Sequence, residues 1–456
     1  MKIFNIADYG ATFSQELQTE KIQKAIDDCF LAGGGRVLIP CGIYRTGGLR
    51  LRSRVELYLE SGAILQGSRD PEDYLSFIKD KIEPVTMEPI GNTPATGRSA
   101  VATSRWCNGL IRVLDAKDVA IVGEKGSYID GVNCYDPQGE ENYRGPHGIS
   151  IWRSENIRFE GYTFINSGNW CHAIFQSKNI TAKNLTVYGG HDGFDVRTCD
   201  NILIENCIFN VGDDSIAGFD NNDMVVRGCT LNTACQSLRL GGNNVLVENC
   251  VSDERNFGFR LRLSLEEKMA GALSNENCRR ECTVPFSYYC DHRAILRKPA
   301  ENIVIRNFHT KQTKELIRLE FTGLHRWCCN RSLREITFEN CSFREILRAG
   351  MLWGDPNEKV ICRFKNCTIA CKEGFEKEPF LVAANFEELL FEDCTFEGWE
   401  EPTLLVATDE PVKIIRSTPI QVEKSTPEEC MEAHPWGVVP EDRAAGRTFR
   451  LSADQD

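Results

Sequence analysis

No stretch of about 18 consecutive apolar residues occurs in this 456-residue chain, which excludes a membrane-spanning helix. Basic character is scarce as well. The 53 Lys and Arg stand against 66 Asp and Glu, and the resulting net charge of −13 argues against a general nucleic-acid or anionic-membrane binder, since either needs a basic face. The opening residues, MKIFNIADYGATF, lack the basic region and apolar core of an export signal, so the expected location is cytoplasmic. Cysteine is present 21 times, yet that is fewer than one residue in twenty and far below the density of a disulfide scaffold. A reducing compartment fits such a chain better.

The placement of the cysteines says more than their number. The segments IENCIF, VRGCTL, VENCVS, FENCSF, FKNCTI and FEDCTF put Cys207, Cys229, Cys250, Cys341, Cys367 and Cys394 at the same point of a recurring phrase. Early intervals are 22 and 21 residues, and later ones lengthen to 26 and 27. The phrase alternates apolar and polar residues and is bounded by Asn, Asp and Gly, the signature of a short strand between turns; ENIRFEGYTF and KNITAKNLTV begin the series. Strand and turn repeating at this period describe the coils of a parallel β-helix, each coil pairing with its neighbours alone. The cysteines then stack as small buried hydrophobes rather than as disulfides or ligands. Ahead of the repeat, TEKIQKAIDDCFLAGGG has helical periodicity, with Thr19 as a capping candidate and a glycine stop at Gly33 to Gly35. Such a helix would plug the open end of the coil stack.

In NVGDDSIAGFD, residues 210–220, two carboxylates stand side by side, Asp213 and Asp214, inside a strand-like stretch. Turn chemistry alone can explain them. Asp192, in GGHDGFD, lies 21 residues earlier, close to one coil, so three carboxylates are expected on one patch. Such mutual repulsion is seldom concentrated without a functional need.

Several ordered landmarks stand out: FNIADYGA, AIDDCFLAGGGRVLIPCGIYRTGGL, LYLESGAIL, the IDG at Ile129 to Gly131 and FINSGNWCHAIFQSKNI. Together they resemble the family 28 glycoside hydrolases, the polygalacturonase-like right-handed parallel β-helix enzymes. The likeness runs from about residue 3 to about 264, and the repeat continues to about 396. It implies an all-β fold, a right-handed single-stranded parallel β-helix with an N-terminal capping helix. The implied organisation is a catalytic β-helix over residues 1–400, an insertion at 265–300 overhanging the cleft, and closing strands with a cap or tail over 401–456.

By this resemblance Asp192, Asp213 and Asp214 are the catalytic cluster of a glycosidase acting on short pectic or related oligosaccharides. Asp213 would protonate the glycosidic oxygen while Asp192 and Asp214 activate water for inversion. Arg260 and Arg262, in GFRLR, match a family motif that holds the sugar, with Arg in place of Lys; a fork of donors suits a uronic carboxylate. Arg239 stands one coil earlier, and a structural ion network with the aspartates is the competing reading. Cys235-Gln236-Ser237 replaces the family's Gly-His-Gly, leaving Gln236 as a sugar-binding candidate, and Gly190-His191 replaces Asn-Thr. His191 either takes a polar role near the acid or packs. These departures bear on the substrate more than on the reaction class.

Asp195 and Arg197 extend the strand after Asp192 and are placed to contact a sugar or each other. Tyr288 and Tyr289 are candidates for stacking on a sugar ring, although surface packing is the commoner fate of such tyrosines. Cys278, Cys282, Cys290 and His292 lack the spacing of a zinc knuckle. No metal or cofactor is expected, and an oligosaccharide is the expected partner, with a homo-oligomer left open. Two other readings stand beside hydrolysis: a polysaccharide lyase of the same fold, or a non-catalytic carbohydrate-binding β-helix.

Overall fold

The structure, a computed structural model, describes residues 1–74, 108–140, 144–252, 282–290, 296–321 and 331–433. Strands, mostly of three to seven residues and up to 17 in Gln236–Ser252, follow one another through turns and pair in parallel with the equivalent strands of neighbouring coils. On the face that matters most here, His147–Trp152 pairs with His172–Phe175, then Phe194–Arg197, then Ile216–Arg227, then Gln236–Ser252, then Val284–Tyr288. This is the parallel β-helix that the repeat predicts. No helix among the described residues is long and apolar enough to cross a membrane.

The recurring phrase has a physical cause at each letter. Its Asn residues turn the corners in the left-handed conformation, as at Asn156, Asn179 and Asn201 with φ of 59°, 56° and 54°, a region that Asn tolerates better than most side chains. Stacked corners let the amides form a ladder: Asn201 Nδ2 donates to Asn179 Oδ1 at 2.9 Å, and Asn179 Nδ2 to Asn156 Oδ1 at 2.8 Å. The six cysteines lie buried as free thiols. Their sulfurs donate to backbone carbonyls of their own and the preceding coil, as Cys229 does to Arg227 at 3.3 Å and to Ile204 at 3.7 Å. Inside the coil, aromatic rings stack along the axis, among them Phe338 on Phe364 at 4.8 Å and Phe364 on Phe391 at 5.1 Å.

The N-terminal helix spans Thr19–Leu31 and packs against the strands Ile3–Asn5, Gly35–Ile39, Leu49–Leu51 and Val55–Leu59, burying Ile22, Ala25, Ile26 and Cys29. Its cap differs from the expectation. Gln18 occupies the capping position without a side-chain bond to the helix's first-turn N–H groups, and Thr19 Oγ1 instead accepts from the Gly47 N–H at 2.8 Å, tying the helix to the turn at Gly47. The glycine stop is as expected, with Gly33 and Gly34 in the left-handed region.

The interval 265–300 is not wholly an interruption. Val284–Tyr288 is a coil strand paired in register with Gln236–Ser252. Beyond residue 400 the strands Thr403–Val406, Val412–Ile415 and Gln421–Lys424 extend the stack. A short helix, Pro427–Ala433, then folds back and packs Cys430 on Ala349, Met351 and Val382.

One core residue makes the fold sensitive to acid. His172 is fully buried, stacks on Phe194 at 4.1 Å, and its two ring nitrogens face the Tyr162 hydroxyl at 2.8 Å and the Gly193 carbonyl at 3.1 Å. Burial pulls its pKa down to about 3 from an ordinary 6.5. The unfolded chain therefore binds a proton that the folded one refuses, and the stability this neutral ring contributes is lost as pH falls below 6.5. His172→Phe, which keeps the stack, should flatten the decline in melting temperature between pH 6.5 and 3. An acid limb of unaltered slope would show that this histidine is not held neutral.

Candidate active site

The strand pairing sets one coil at 22 residues here, with Phe194 opposite Ile216. Asp192 therefore stacks on Asp214, one position on from the Asp213 alignment that a 21-residue spacing suggests. The backbone confirms this register, because the Gly193 N–H donates to the Asp214 carbonyl at 2.9 Å. Gly193 is required for the stacking: a Cβ there would sit 2.5 Å from the Phe209 ring and 2.6 Å from the Ser215 carbonyl oxygen. Thr233 braces the second turn by donating its hydroxyl to the Asp213 carbonyl and accepting from the Cys235 N–H at 2.8 Å.

The three expected carboxylates are thus brought together, and they differ in burial. Asp192 and Asp214 are 1% and 2% exposed, whereas the Asp213 side chain is 19% exposed. One oxygen of each buried carboxylate, Asp192 Oδ2 and Asp214 Oδ1, has no hydrogen-bond partner. Burial pushes Asp192 well above the ordinary carboxylate range, reinforced by Asp213 and Asp214 and opposed by Arg239. Asp214 is pushed up to about 7, again by burial first, with Arg239 pulling against it.

Arg239 is ion-paired with the aspartates of the trio. Its Nε lies 2.5 Å from Asp214 Oδ2, its Nη2 3.9 Å from Asp192 Oδ2, and its guanidinium lies over the Tyr289 ring at 4.2 Å. Asp195 and Arg197 contact each other through a paired fork, Nε to Oδ1 at 2.6 Å and Nη2 to Oδ2 at 2.7 Å. Arg197 is also sandwiched by Trp170 at 4.6 Å and Phe219 at 5.4 Å.

Gln236 follows Asp214 in the next coil of the same column, and its buried Oε1 has no partner. His191 is buried one residue before Asp192. Tyr288 and Tyr289 are buried rather than presented to a ligand; the Tyr288 hydroxyl donates to the Ser332 carbonyl at 3.2 Å. Arg260 and Arg262 lie outside the described residues, as do Cys278 and His292; Cys282 and Cys290 are buried free thiols.

Arg144 is the site residue that sequence reasoning missed. Its Nη2 lies 3.9 Å from Asp213 Oδ2, and its Nη1 donates to Asn169 Oδ1 at 3.1 Å. It arrives on an excursion of the chain between Asp130 and His147 in which Arg144 bridges back to Tyr135 in antiparallel fashion. The return passes so close to the outgoing limb that a Cβ on Gly145 would lie 2.0 Å from the Cys134 carbonyl oxygen. No periodic signal marks such a residue, though the dipeptide Arg-Gly at the end of an irregular stretch is a trace of the close approach.

Atoms of Asp213, Asp214 and Cys235 lie within 4.8 Å of one another and form a set that could share a metal ion. Two hard oxygens and one soft sulfur make a mixed donor set, and Arg239 already competes for Asp214. As acid/base groups the same residues need no such addition. Among the described residues, three carboxylates here face two guanidiniums, so one proton held within the trio brings the patch to neutrality.

Comparison with known proteins gives a consistent result. The model of the family described as glycosyl hydrolases family 28 matches residues 83–235. A probable polygalacturonase of Vitis vinifera is 29% identical over 294 residues, 57% of this chain and 57% of its own length. An exo-poly-alpha-D-galacturonosidase of Dickeya chrysanthemi is 28% identical over 252 residues, 47% of this chain and 41% of its own. The chain thus spans about half the length of these relatives. The crystal structure of a hyperthermoactive exopolygalacturonase from Thermotoga maritima superposes with a TM-score of 0.61 at 19% identity, covering 82% of this chain and 88% of that one. That likeness shows the fold, a right-handed parallel β-helix.

Proposed function

We propose that this chain, which carries a family 28 glycosyl hydrolase segment over residues 83–235, is a glycosidase that hydrolyses short uronic oligosaccharides of the pectic kind by acid/base catalysis. The observation that carries the reading is the trio itself: Asp192 stacked on Asp214, with Asp213 at the open side of the pair and two buried carboxylate oxygens left without partners. A structural cluster would pair those oxygens. A hydrolytic site keeps them for water and for the reacting sugar.

The roles follow from accessibility. Asp213, the exposed member, is the group that can reach a glycosidic oxygen. A bound sugar would cover it, which leaves it the member of the trio placed to deliver the acid's proton. Asp192 and Asp214, deeper in the site, are the members placed to hold the water. Attack from the face opposite the leaving group gives inversion, although Asp213 and Asp214 bring carboxylate oxygens within 4.8 Å of each other, nearer than the about 6.5 to 9.5 Å usual for an inverting acid and base. Arg239 fixes the Asp214 carboxylate and, stacked on Tyr289, cannot swing away from it easily.

The substrate class rests on the galacturonate activities named for the relatives and on the guanidinium beside Asp213, Arg144. A cytoplasmic, reducing location is part of the same proposal: the ladder thiols are free, and Cys41 is exposed as a free thiol. The test is incubation with α-linked galacturonate oligomers and their neutral galactose counterparts. We expect saturated, water-added fragments from the galacturonates. An unsaturated product absorbing in the ultraviolet would replace hydrolysis with elimination, and binding without cleavage would make the trio a recognition patch.

A further inference from the structure

We propose that Asp213, Asp214 and Cys235 form a site for one thiophilic divalent cation of the Zn²⁺ type, which seats itself across the catalytic carboxylates and shuts the site reversibly. The inhibitory meaning rests on the hydrolase reading of the aspartates, whereas the binding of the ion does not.

The coil register builds the set. Ile216 stands opposite Leu238, so Cys235 occupies the rung after Asp213 and Gln236 the rung after Asp214. One ligand atom from each of Asp213, Asp214 and Cys235 lies within 4.8 Å of the other two. A single hydroxyl ties the two rungs together at the main chain: Thr233 Oγ1 donates to the Asp213 carbonyl and accepts from the Cys235 N–H at 2.8 Å. Asp214 is 2% exposed, and while its Oδ2 meets Arg239, its Oδ1 is buried with no hydrogen-bond partner. A buried carboxylate oxygen left in that state is one that a cation satisfies.

The donors select the ion. Ca²⁺ and Mg²⁺ take oxygen ligands, whereas one sulfur beside two carboxylates suits Zn²⁺, whose open sites combine three protein ligands with water. Tetrahedral zinc brings its ligand atoms to about 3.5 Å from one another. That adjustment falls to Asp213 and Cys235, the partly exposed members of the set. Charge agrees with this choice. Three carboxylates and a thiolate face Arg144 and Arg239, the guanidiniums at the trio among the described residues, which leaves two negative charges for one divalent ion. The thiol releases its proton to solvent as the sulfur–zinc bond forms. Ion and substrate would claim the same carboxylate oxygens and so exclude each other. The ion is an inhibitor here, and hydrolysis uses none.

The test is equilibrium titration of the reduced, full-length protein with Zn²⁺ against a chromophoric zinc indicator, and with Cd²⁺ followed through its thiolate charge-transfer band in the ultraviolet. Other thiols, such as the exposed Cys41, are controlled by comparison with Cys235→Ser. We expect the wild type to hold one equivalent of Zn²⁺ that Ca²⁺ and Mg²⁺ do not displace. In Cys235→Ser the affinity for that equivalent should fall by more than about 100-fold, beyond what loss of a mere supporting partner costs, and the Cd²⁺ band should shrink. Asp213→Asn, which keeps the thiol, should weaken the same equivalent and carries the comparison if a melting curve shows Cys235→Ser to be misfolded. In cleavage assays, Zn²⁺ inhibition should yield to chelator and to rising substrate, and the Zn²⁺ needed should rise in Cys235→Ser by the same factor as its dissociation constant. Zinc held equally by the wild type and both variants, zinc displaced by Ca²⁺, no zinc held at all, or inhibition undiminished in Cys235→Ser would overturn the proposal. Failure of the hydrolase reading appears separately, as galacturonate oligomers left intact by metal-free protein that still binds zinc through Cys235.

Discussion

Asp213→Asn should lower the rate of oligogalacturonide cleavage by about a hundredfold to ten-thousandfold, the usual contribution of a positioned general acid, while leaving the fold in place. Asn keeps the size of the side chain and removes the proton that the glycosidic oxygen must receive. The backbone around residue 213 does not depend on its carboxylate: Thr233 grips the main-chain carbonyl, and Gly193 holds the next residue's carbonyl. With no charge to repel, Asp192 and Asp214 should titrate lower in the variant, so its residual activity should extend to more acid pH. The decisive comparison is kcat at saturating substrate beside a melting curve. A variant that melts like the wild type and cleaves at more than a tenth of its rate would remove Asp213 from the acid's place.

The largest stability effect is expected at Arg197. Its guanidinium is 3% exposed, forks onto the fully buried Asp195, and is packed between Trp170 and Phe219. Strand register places Ala173 and Ala217 on either side of Asp195, and these small neighbours leave the fork its room. Arg197→Met removes one ion of a buried pair and strands the other, which costs about 3 to 5 kcal/mol. Urea unfolding followed by tryptophan fluorescence should show this as an earlier transition. Restoring neutrality with a second change, Asp195→Asn, should recover part of the loss, since the penalty belongs to the unpaired charge rather than to the missing contact. A single variant within about 1 kcal/mol of the wild type would mean that water reaches Asp195 and that the pair is not buried in solution.

The β-helix was legible in the sequence because every coil repeats the same physical problem. A corner needs a residue that tolerates the left-handed conformation, so Asn recurs, and the position inside the corner accepts a small buried thiol, so Cys recurs. Asp192, Asp213 and Asp214 were legible for the same reason, since a period of about one coil converts distance along the chain into adjacency. The sequence period of about 22 residues places Asp192 beside the pair, and one residue of register decides whether it stacks on Asp213 or on Asp214. The register Phe194 to Ile216 settles it in favour of Asp214.

What the sequence hid lies outside the period. Arg144 reaches Asp213 from an excursion whose path depends on two tight glycine approaches rather than on alternation. Arg239 reads as a cation one coil away, but whether such a side chain meets a sugar or an aspartate is set by side-chain direction, and here it turns onto Asp214. Tyr288 and Tyr289 follow a stretch of unrepetitive sequence and so read as surface. In fact Val284–Tyr288 rejoins the stack, and that burial converts both tyrosines into packing, with Tyr289 serving as the floor beneath Arg239.

The central claim is that the three aspartates add water across a uronic glycosidic bond. It is tested most directly by incubating a short α-galacturonate oligomer with the protein in heavy-oxygen water and weighing the fragments by mass spectrometry, with Asp213→Asn in parallel. The account predicts that one new end of each cleaved bond carries a single heavy oxygen at its anomeric carbon, and that the variant releases almost none. Fragments lacking the label, or labelled fragments released equally by both proteins, would contradict it.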